Sequence, residues 1–260
     1  MTATTDWQAK QYVLFEKERT RPVRDLLAAV PATDVRMAVD LGCGPGNSTE
    51  VLAAHAPGAA ISGLDSSRDM IAAARKRLPQ LQFDTGDVAT WDAAGPYDLI
   101  LANAVLQWVP DHERLLPSLV TRLAPGGSLA VQMPDNLDMP SHRAMREVAA
   151  LPEFAAAIGD AAAVRSRILP AETYYDLVSN DAAAVDVWRT TYYHPMPSPR
   201  AIVDWLRGTG LRPFLQRLDD AASDTFLREY EARVDAAFPE RVDGLRLLPF
   251  PRLFIVATRR

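Results

Sequence analysis

Cysteine is nearly absent from the sequence, and so are the features of exported and membrane proteins. Cys43 is the single cysteine, which excludes an intrachain disulfide and a cysteine-rich zinc site. No run approaches the roughly 20 apolar residues of a membrane-spanning helix. Residues 1–10 lack the apolar segment of a signal peptide. The sequence therefore predicts a cytoplasmic protein that has no metal and no membrane partner.

An excess of positive charge is also missing. The formal net charge is −5 and the isoelectric point is about 5.4, whereas nucleic-acid-binding proteins usually present a net basic face. We therefore expect no nucleic-acid partner, and no feature of the sequence indicates a protein partner. What is present is an ordinary globular composition, with 48% hydrophobic and 23% charged residues. A chain of 260 residues with this composition can bury a large core.

Short apolar segments alternate with helical ones between residues 36 and 134. Asn47 or Ser48 is expected to cap the first of these helices, and residues 125–127 are expected to stop the third. Apolar strands that alternate with helices are typical of a parallel sheet covered on both faces. The predicted strands are 36–40, 60–65, 82–84, 97–101 and 128–133, and the predicted helices are 47–55, 67–78 and 111–123.

The segments on either side complete the predicted organisation. Residues 1–35 are predicted to form a helical arm, and residues 36–135 the core. Residues 136–245 are predicted to form a helical cap that includes a late strand at about 185–194, and residues 246–260 the final core strand. The predicted fold is thus α/β and Rossmann-like. A doubly wound, mostly parallel seven-stranded sheet carries a helical cap inserted before and between its last two strands.

A glycine-rich loop follows the first predicted strand, at residues 39–46. A phosphate-binding P-loop would need Gly-Lys-Ser/Thr after its glycines, and none is present. The third glycine of a dinucleotide fingerprint would stand at Asn47. The carboxylate of Asp40, at the strand end, would repel a pyrophosphate and attract the ammonium group of a methionine moiety. Gly42 and Gly44 let the backbone approach a ligand, so the loop predicts an S-adenosylmethionine site.

Further polar residues follow the next strands at the positions this cofactor needs. Asp65 lies 25 positions after Asp40 and is predicted to accept the ribose hydroxyls. Asp87 is predicted to accept from the adenine amino group. Any one such acid is more often a turn or cap residue, so the joint pattern carries the prediction. In it, Met70 and Val88 sandwich the adenine, and Asn103 and Ala104 lie beside the sulfonium. The predicted cofactor-binding residues are Tyr12, Asp40, Gly42, Cys43, Gly44, Asn47, Asp65, Ser66, Met70, Asp87, Val88, Asn103 and Ala104.

Seven segments resemble the bacterial trans-aconitate 2-methyltransferases, a family of class I S-adenosylmethionine-dependent methyltransferases. The glycine-loop segment is generic to the superfamily, whereas 188–194 and 250–257 are much more specific, and 151–167 shows no match. The resemblance implies methyl transfer from S-adenosylmethionine to one carboxylate of trans-aconitate, a small tricarboxylate. It implies that residues 1–35 fold over the cofactor. The matching segments are 15–22, 40–49, 64–67, 106–108, 131–136, 188–194 and 250–257.

The implied chemistry can be tested against the residues. A carboxylate nucleophile has a pKa near 4 in model acids and is ionised at neutral pH, so no general base is required. Three carboxylates need cationic and hydrogen-bonding partners, and the forked guanidinium of arginine suits them best. Tyr192 and Tyr193 alternate along a strand, so only one of them is expected to face the acceptor. The predicted acceptor cradle comprises Arg19, Arg21, Gln107, Trp108, Asn136, Arg189, Tyr192, Tyr193, His194 and Arg252, with Arg143 and Arg146 as further candidates.

Two alternatives stay open at this point. The acceptor is another small carboxylic acid or a phenol, and a phenol would call for a base such as His194 and for fewer arginines. Or the chain is a regulator that binds S-adenosylmethionine without catalysis. An RNA methyltransferase is disfavoured by the acidic charge balance.

Overall fold

The computed structural model describes residues 16–31, 34–93 and 95–260. Within this range the chain divides into two compact units. The first, which we call the core unit, comprises residues 16–134, 168–190 and 253–260 of the described chain. The second unit comprises residues 135–167 and 191–252. The predicted arm begins before the described range, so Tyr12 lies outside it. The arm's described helix is α1, Glu16–Ala28.

One sheet of seven strands has the order β3-β2-β1-β4-β5-β7-β6. The pairings from β3 through β2, β1 and β4 to β5 are all parallel. The chain runs outward from β1 to β3 and then returns to place β4 on the other side of β1, which makes a topological switch point between β1 and β4. The strands are β1 Met37–Leu41, β2 Ala60–Asp65, β3 Gln82–Thr85, β4 Tyr97–Asn103, β5 Leu123–Pro134, β6 Ala182–Met196 and β7 Arg246–Arg259.

Helices separate the strands as the sequence predicted. The inner strand β4 is apolar on both faces, with residues 99–102 fully buried, because helices cover both sides of a parallel sheet. Two short 3-10 helices, Val88–Thr90 and Leu106–Trp108, follow β3 and β4. The α-helices after α1 are α2 Asn47–His55, α3 Arg68–Arg77, α4 His112–Thr121, α5 Pro140–Ala149, α6 Pro152–Ile158, α7 Ala171–Ser179, α8 Pro199–Arg207, α9 Arg212–Leu215 and α10 Asp220–Ala237.

The α/β fold prediction is confirmed, including helices before and between the last two strands in chain order. The prediction that the helical segment forms a cap over the core concerns the mutual placement of the two units and stays a prediction. In the part of the chain that the structure describes, no helix is both long and apolar enough to cross a membrane.

The helices of the second unit pack around aromatic side chains. Phe226 of α10 contacts Phe154 of α6 edge-on at 5.2 Å and stacks on Phe214 of α9 at 6.1 Å between ring centroids. The hydroxyl of Tyr230, one turn further along α10, donates to the carbonyl of Ser141 at the start of α5 (3.1 Å). These buried contacts bind α5, α6 and α9 to one central helix.

Two local predictions were wrong. Helix α2 is capped by Gly46, with φ +92°, and neither Asn47 nor Ser48 supplies a side-chain cap. Strand β5 begins at Leu123 rather than 128, because Gly126 adopts φ +76° and the ladder with β4 continues across a bulge.

Candidate cofactor site and acceptor-binding residues

The predicted cofactor residues follow the carboxyl ends of the parallel strands in the core unit. Asp40 pairs in register with Gly63 on β2 and with Leu101 on β4. Asp65 and Asn103 are the last residues of β2 and β4. Because parallel strands end at one edge of the sheet, the loops after β1, β2 and β4 converge there, beside the switch point.

Asp40 is fully buried (0% exposed) on β1. Its Oδ2 accepts hydrogen bonds from the hydroxyls of Ser48 and Thr49, both at 2.7 Å. Its Oδ1 has no hydrogen-bond partner among the described residues. Burial raises the pKa of the carboxyl from 3.8 to about 7, the two hydroxyls lower it, and Asp65 raises it further. A buried carboxylate with an unused oxygen is suited to a cationic ligand.

The glycine loop is held against the end of β2. The backbone N–H groups of Gly42 and Cys43 donate to the carbonyl of Leu64 at 2.7 and 3.0 Å. A Cβ on Gly42 would lie under 3 Å from the side chain of Val105, so only glycine permits this approach. A Cβ on Gly44, at φ +54°, would meet no atom of the described chain within 4 Å. The loop is therefore packed on one side and open at Gly44.

Asp65 ties this loop to the start of α3. Its Oδ2 accepts from the N–H of Gly44 and its Oδ1 from the N–H of Ser67, each at 2.9 Å. The hydroxyl of Ser67 in turn accepts from Met70 N at 3.2 Å and caps α3. Ser66, between them, is exposed. A carboxylate oxygen can accept more than one hydrogen bond, so the predicted ribose role is compatible with this geometry.

The residues predicted around the adenine differ in exposure. Asp87 is exposed and caps the 3-10 helix Val88–Thr90, with Oδ1 accepting from Ala89 N at 2.9 Å. Met70 and Val88 are buried, 3% and 4% exposed. Asp87 therefore acts as a helix cap in this structure. A contact with adenine would have to use the carboxylate's remaining acceptor capacity.

The end of β4 carries an unusual backbone conformation. Ala104 has φ +54°, which is costly for a residue with a side chain. Its N–H donates to the carbonyl of Gln132 on β5 at 2.8 Å, and its carbonyl accepts from Gln107 Nε2 at 2.6 Å. Hydrogen bonds on both sides hold this conformation, and strain that the surroundings enforce is typical of binding sites.

Buried acceptor atoms without a partner test whether the site fits S-adenosylmethionine. Leaving a buried acceptor unsatisfied costs about 1–3 kcal/mol, and in native proteins such atoms are few. Within the described part of the core unit, four side-chain oxygens in the loops after β1 and β4 or at their ends are in this state. They are Asp40 Oδ1, Asn47 Oδ1, Asn103 Oδ1 and Gln107 Oε1. One of them belongs to a carboxylate and the other three are amide oxygens, and this group fits a cofactor that carries an ammonium and a sulfonium.

A hydrogen-bonded clamp that the sequence did not reveal holds the 3-10 helix after β4. His112 Nε2 lies 2.8 Å from the carbonyl of Leu106, and its Nδ1 lies 2.6 Å from the hydroxyl of Tyr174. That hydroxyl also accepts from Leu169 N at 3.1 Å. Since a carbonyl only accepts, Nε2 carries a proton. The clamp fixes the helix that carries Gln107.

Ser48 and Thr49 were likewise missed as partners of Asp40, because a hydroxyl at a helix start is usually a cap.

The acceptor-cradle residues of the core unit are mostly exposed. Arg21 lies 3.8 Å from Asp25 within α1, and both are exposed. Arg189 is exposed on β6, and Trp108 is 38% exposed. Arg19 is half-buried. The neighbouring Trp188 stacks on Phe254 at 4.8 Å, which is the contact of a packing residue.

In the second unit the structure brings three cradle residues together. His194 stacks near Tyr192 (6.4 Å) and lies 6.1 Å from Phe250, centroid to centroid. The guanidinium of Arg252 lies 4.9 Å over the same Phe250 ring. Tyr192 is 4% exposed, whereas Tyr193 is 63% exposed and points away from this group, as the alternation along β6 requires. We call Tyr192, His194, Phe250 and Arg252 the β6–β7 cluster.

Asn136, just after β5, is 3% exposed, and its Oδ1 has no partner in the described chain. The residues that the structure describes contain no group of three or more His, Cys, Asp or Glu that could hold a metal ion. The predicted sites therefore consist of a cofactor group in the core unit and the β6–β7 cluster with Asn136 in the second unit.

Comparison with known proteins identifies the family. A family model described as a methyltransferase domain matches residues 39–129. Trans-aconitate 2-methyltransferase of Delftia acidovorans is 56% identical over 98% of this chain and 99% of its own length, and that of Variovorax paradoxus is 55% identical over 98% and 99%.

Solved structures agree on the fold. A YcgJ protein from Bacillus subtilis matches with a TM-score of 0.59 at 12% identity, over 92% of this chain and 98% of its own. Phosphoethanolamine N-methyltransferase 2 of Haemonchus contortus, solved with S-adenosylhomocysteine, matches with a TM-score of 0.56 at 14% identity, over 92% and 52%. The predicted class I methyltransferase fold is confirmed. At more than half identity over nearly the full length of both sequences, the chain belongs to the trans-aconitate 2-methyltransferase family.

Proposed function

We propose that the protein transfers the methyl group of S-adenosylmethionine to a carboxylate oxygen of trans-aconitate, giving the monomethyl ester and S-adenosylhomocysteine. The acceptor follows from the names of relatives more than 50% identical over almost the whole chain. The structural observation that carries the proposal is Asp40, a fully buried carboxylate with one oxygen that no described residue engages.

Each part of the cofactor has a matching group in the core unit. Asp40 Oδ1 would accept from the ammonium group, and the open side of Gly44 would admit the amino-acid portion. Asp65 would accept from the ribose, and Asn103 would lie toward the sulfur. Asp87, with Met70 and Val88, would hold the adenine. When bound, S-adenosylmethionine supplies an electrophilic methyl group on a positively charged sulfur.

The chain's contribution to the chemistry is positioning and charge neutralisation. The acceptor carboxylate is already ionised at neutral pH, so no side chain has to remove a proton. Arg252 would pair with a carboxylate, since its guanidinium presents a planar fork. Tyr192 and His194 would donate further hydrogen bonds. Holding both reactants in line can supply about 7–11 kcal/mol of the barrier reduction.

The roles of the segments belong to the same proposal. In this proposal residues 1–35 act as an arm over the cofactor, to which Tyr12, Arg19 and Arg21 contribute binding groups. Residues 136–245 act as the cap, and residues 246–260 as the final core strand. A cytoplasmic location is proposed because a single cysteine and an acidic charge balance suit that compartment.

Purified protein with S-adenosylmethionine and a panel of acids tests this proposal. The panel contains trans-aconitate, other di- and tricarboxylates and one phenol, and S-adenosylhomocysteine release is measured. We expect release with trans-aconitate. Turnover of another acceptor without turnover of trans-aconitate would contradict the proposed substrate. Cofactor binding without turnover of any acceptor would favour a non-catalytic regulator.

A further inference from the structure

A small cavity lies inside the second unit, between α5, the segment 159–167 and α9. Its volume is about 80 Å³, several times the roughly 10–15 Å³ that one water molecule needs. Three arginines and no carboxylate line it among the described residues. The charged lining is Arg146, Arg165 and Arg167, and the remaining wall includes His142, Met145 and Phe214. A cationic rim with a mainly apolar wall is suited to a small organic anion.

The charge on this cavity is positive. Arg165 is half-buried, and its pKa is lowered to about 10, first by burial and then by the neighbouring Arg146. The pKa of His142 is lowered to about 3 by burial, then by Arg165 and Arg146. His142 is therefore neutral at pH 7 and adds no charge of its own. The Coulombic part of these shifts, from Arg146 on Arg165 and from both arginines on His142, is the part that favours an anion beside them.

Arg146 keeps donors for a ligand. Arg146 Nη1 donates to the carbonyl of Leu137 at 2.9 Å. Arg167 forms a two-point pair with Asp138 at 2.6 and 2.7 Å, and both side chains are exposed. A guanidinium has five N–H donors, so one such bond to Arg146 leaves most of its donors available. Asp138 offsets the charge of Arg167 and also attracts Arg146, but one carboxylate outside the lining leaves the three arginines in excess.

The loop after β5 connects this cavity to the predicted acceptor residues. Asp135 N donates to the carbonyl of Pro251, directly before Arg252, at 2.9 Å. Two residues later, the carbonyl of Leu137 accepts from Arg146. Asn136 lies between these two contacts. The loop therefore contacts both the segment that carries Phe250 and Arg252 and an arginine of the cavity, within one compact unit.

We propose that this cavity binds a carboxylate group of a small polycarboxylate, with Arg146 and Arg165 as its ligands. Paired guanidinium forks match the planar geometry of carboxylates, and the apolar wall accommodates a short carbon chain. The proposal depends on the proposed function only for the choice of trans-aconitate as the first probe. The carboxylate belongs either to the acceptor itself or to a second polycarboxylate molecule.

Isothermal titration calorimetry on protein saturated with S-adenosylhomocysteine tests the site, with trans-aconitate, citrate and acetate as probes. Arg165→Gln should weaken binding of both polycarboxylates at least tenfold and leave the affinity for S-adenosylhomocysteine unchanged. Arg165→Lys keeps the charge without the fork and should fall between wild type and Arg165→Gln. Arg207→Gln, an exposed position at the end of α8 in the same unit, should bind like wild type.

Unchanged polycarboxylate affinity in Arg165→Gln, with an unchanged melting temperature, would overturn the proposal. If that variant does not fold, Arg146→Gln is subject to the same criterion. Competition between citrate and trans-aconitate would assign the site to the acceptor, and independent binding would assign it to a second molecule. Either outcome supports the anion site. Wild type that binds citrate through Arg165 but does not methylate trans-aconitate would refute the proposed function and leave the cavity proposal standing.

Discussion

Replacing Asp40 with asparagine is expected to stabilise the cofactor-free protein and to weaken cofactor binding. Asparagine has nearly the same shape, and its carbonyl oxygen can accept the hydroxyls of Ser48 and Thr49 as Oδ2 does now. The substitution removes only the charge and replaces the oxygen that has no partner among the described residues. The two effects therefore report on one buried charge.

The magnitude follows from the pKa of Asp40. Because burial raises it from 3.8 to about 7, keeping the group ionised costs the folded state about 4 kcal/mol at high pH. A raised pKa means that the folded protein holds this proton more tightly. Its stability therefore falls as the pH rises from about 4 to about 7, and then levels. Asparagine does not ionise and adds no pH dependence of its own. The stability gain of Asp40→Asn should therefore be about 2.5 kcal/mol larger at pH 8 than at pH 5.

Urea unfolding of wild type and Asp40→Asn at the two pH values measures this difference. Comparing the two pH values cancels the packing cost of the new amide, which does not titrate. Asp181→Asn, at an exposed position just before β6, provides the matched control and should show no such dependence. If the difference in stability between the two proteins is the same at pH 5 and pH 8, Asp40 does not carry a destabilising buried charge.

Cofactor affinity provides the second half of the test. The ammonium group favours ionised Asp40, so wild-type affinity for S-adenosylhomocysteine should fall as the pH drops below about 7. Asp40→Asn should bind at least tenfold more weakly at pH 8 and lose that pH dependence. Equal affinity of both proteins at pH 8 would show that Asp40 does not contact the cofactor.

Three further predictions concern the clamp, the glycine loop and the tyrosines. His112→Phe removes two hydrogen bonds of a buried ring and should lower the free energy of unfolding by about 2–4 kcal/mol in urea titrations; a loss under 1 kcal/mol would contradict the clamp. Gly42→Ala should lower the melting temperature more than Gly44→Ala, because only the first Cβ meets a side chain, whereas Gly44→Ala should mainly weaken S-adenosylhomocysteine binding. Tyr192→Phe should reduce kcat/KM for trans-aconitate, and Tyr193→Phe should leave it unchanged; equal effects would remove Tyr192 from the acceptor site.

The sheet was predictable because its strands are apolar and its loops carry glycine, proline and acids. The strand predicted at 60–65 is β2 itself, and the helix predicted at 47–55 is α2. Asp40 and Asp65 could be placed at the same sheet edge because each ends a predicted parallel strand. The residues that determine these elements are close together in the sequence, so a local pattern is enough to predict them.

Where long-range contacts decided the outcome, the sequence was insufficient. Asn47 or Ser48 was expected to cap α2, yet the hydroxyl of Ser48 donates to Asp40, eight residues earlier, and Gly46 occupies the cap position. Arg165 lies in a segment without any recognisable motif. It joins Arg146 only through the packing of the second unit. Neither the pairing of Ser48 with Asp40 nor that of Arg165 with Arg146 could be predicted from a periodic sequence pattern. Both depend on how folding brings the two residues together.

The two groups of polar residues differ in sign, and this difference matches the proposed reaction. The core unit presents buried acceptor oxygens, Asp40 Oδ1 and Asn103 Oδ1 among them, which favour a cation. The second unit presents Arg252, Arg146 and Arg165, which favour an anion. Methyl transfer from a sulfonium to a carboxylate removes one charge of each sign, so each group loses part of its electrostatic attraction once the reaction is complete. We therefore expect these residues to bind the reactants more tightly than the products, which favours product release.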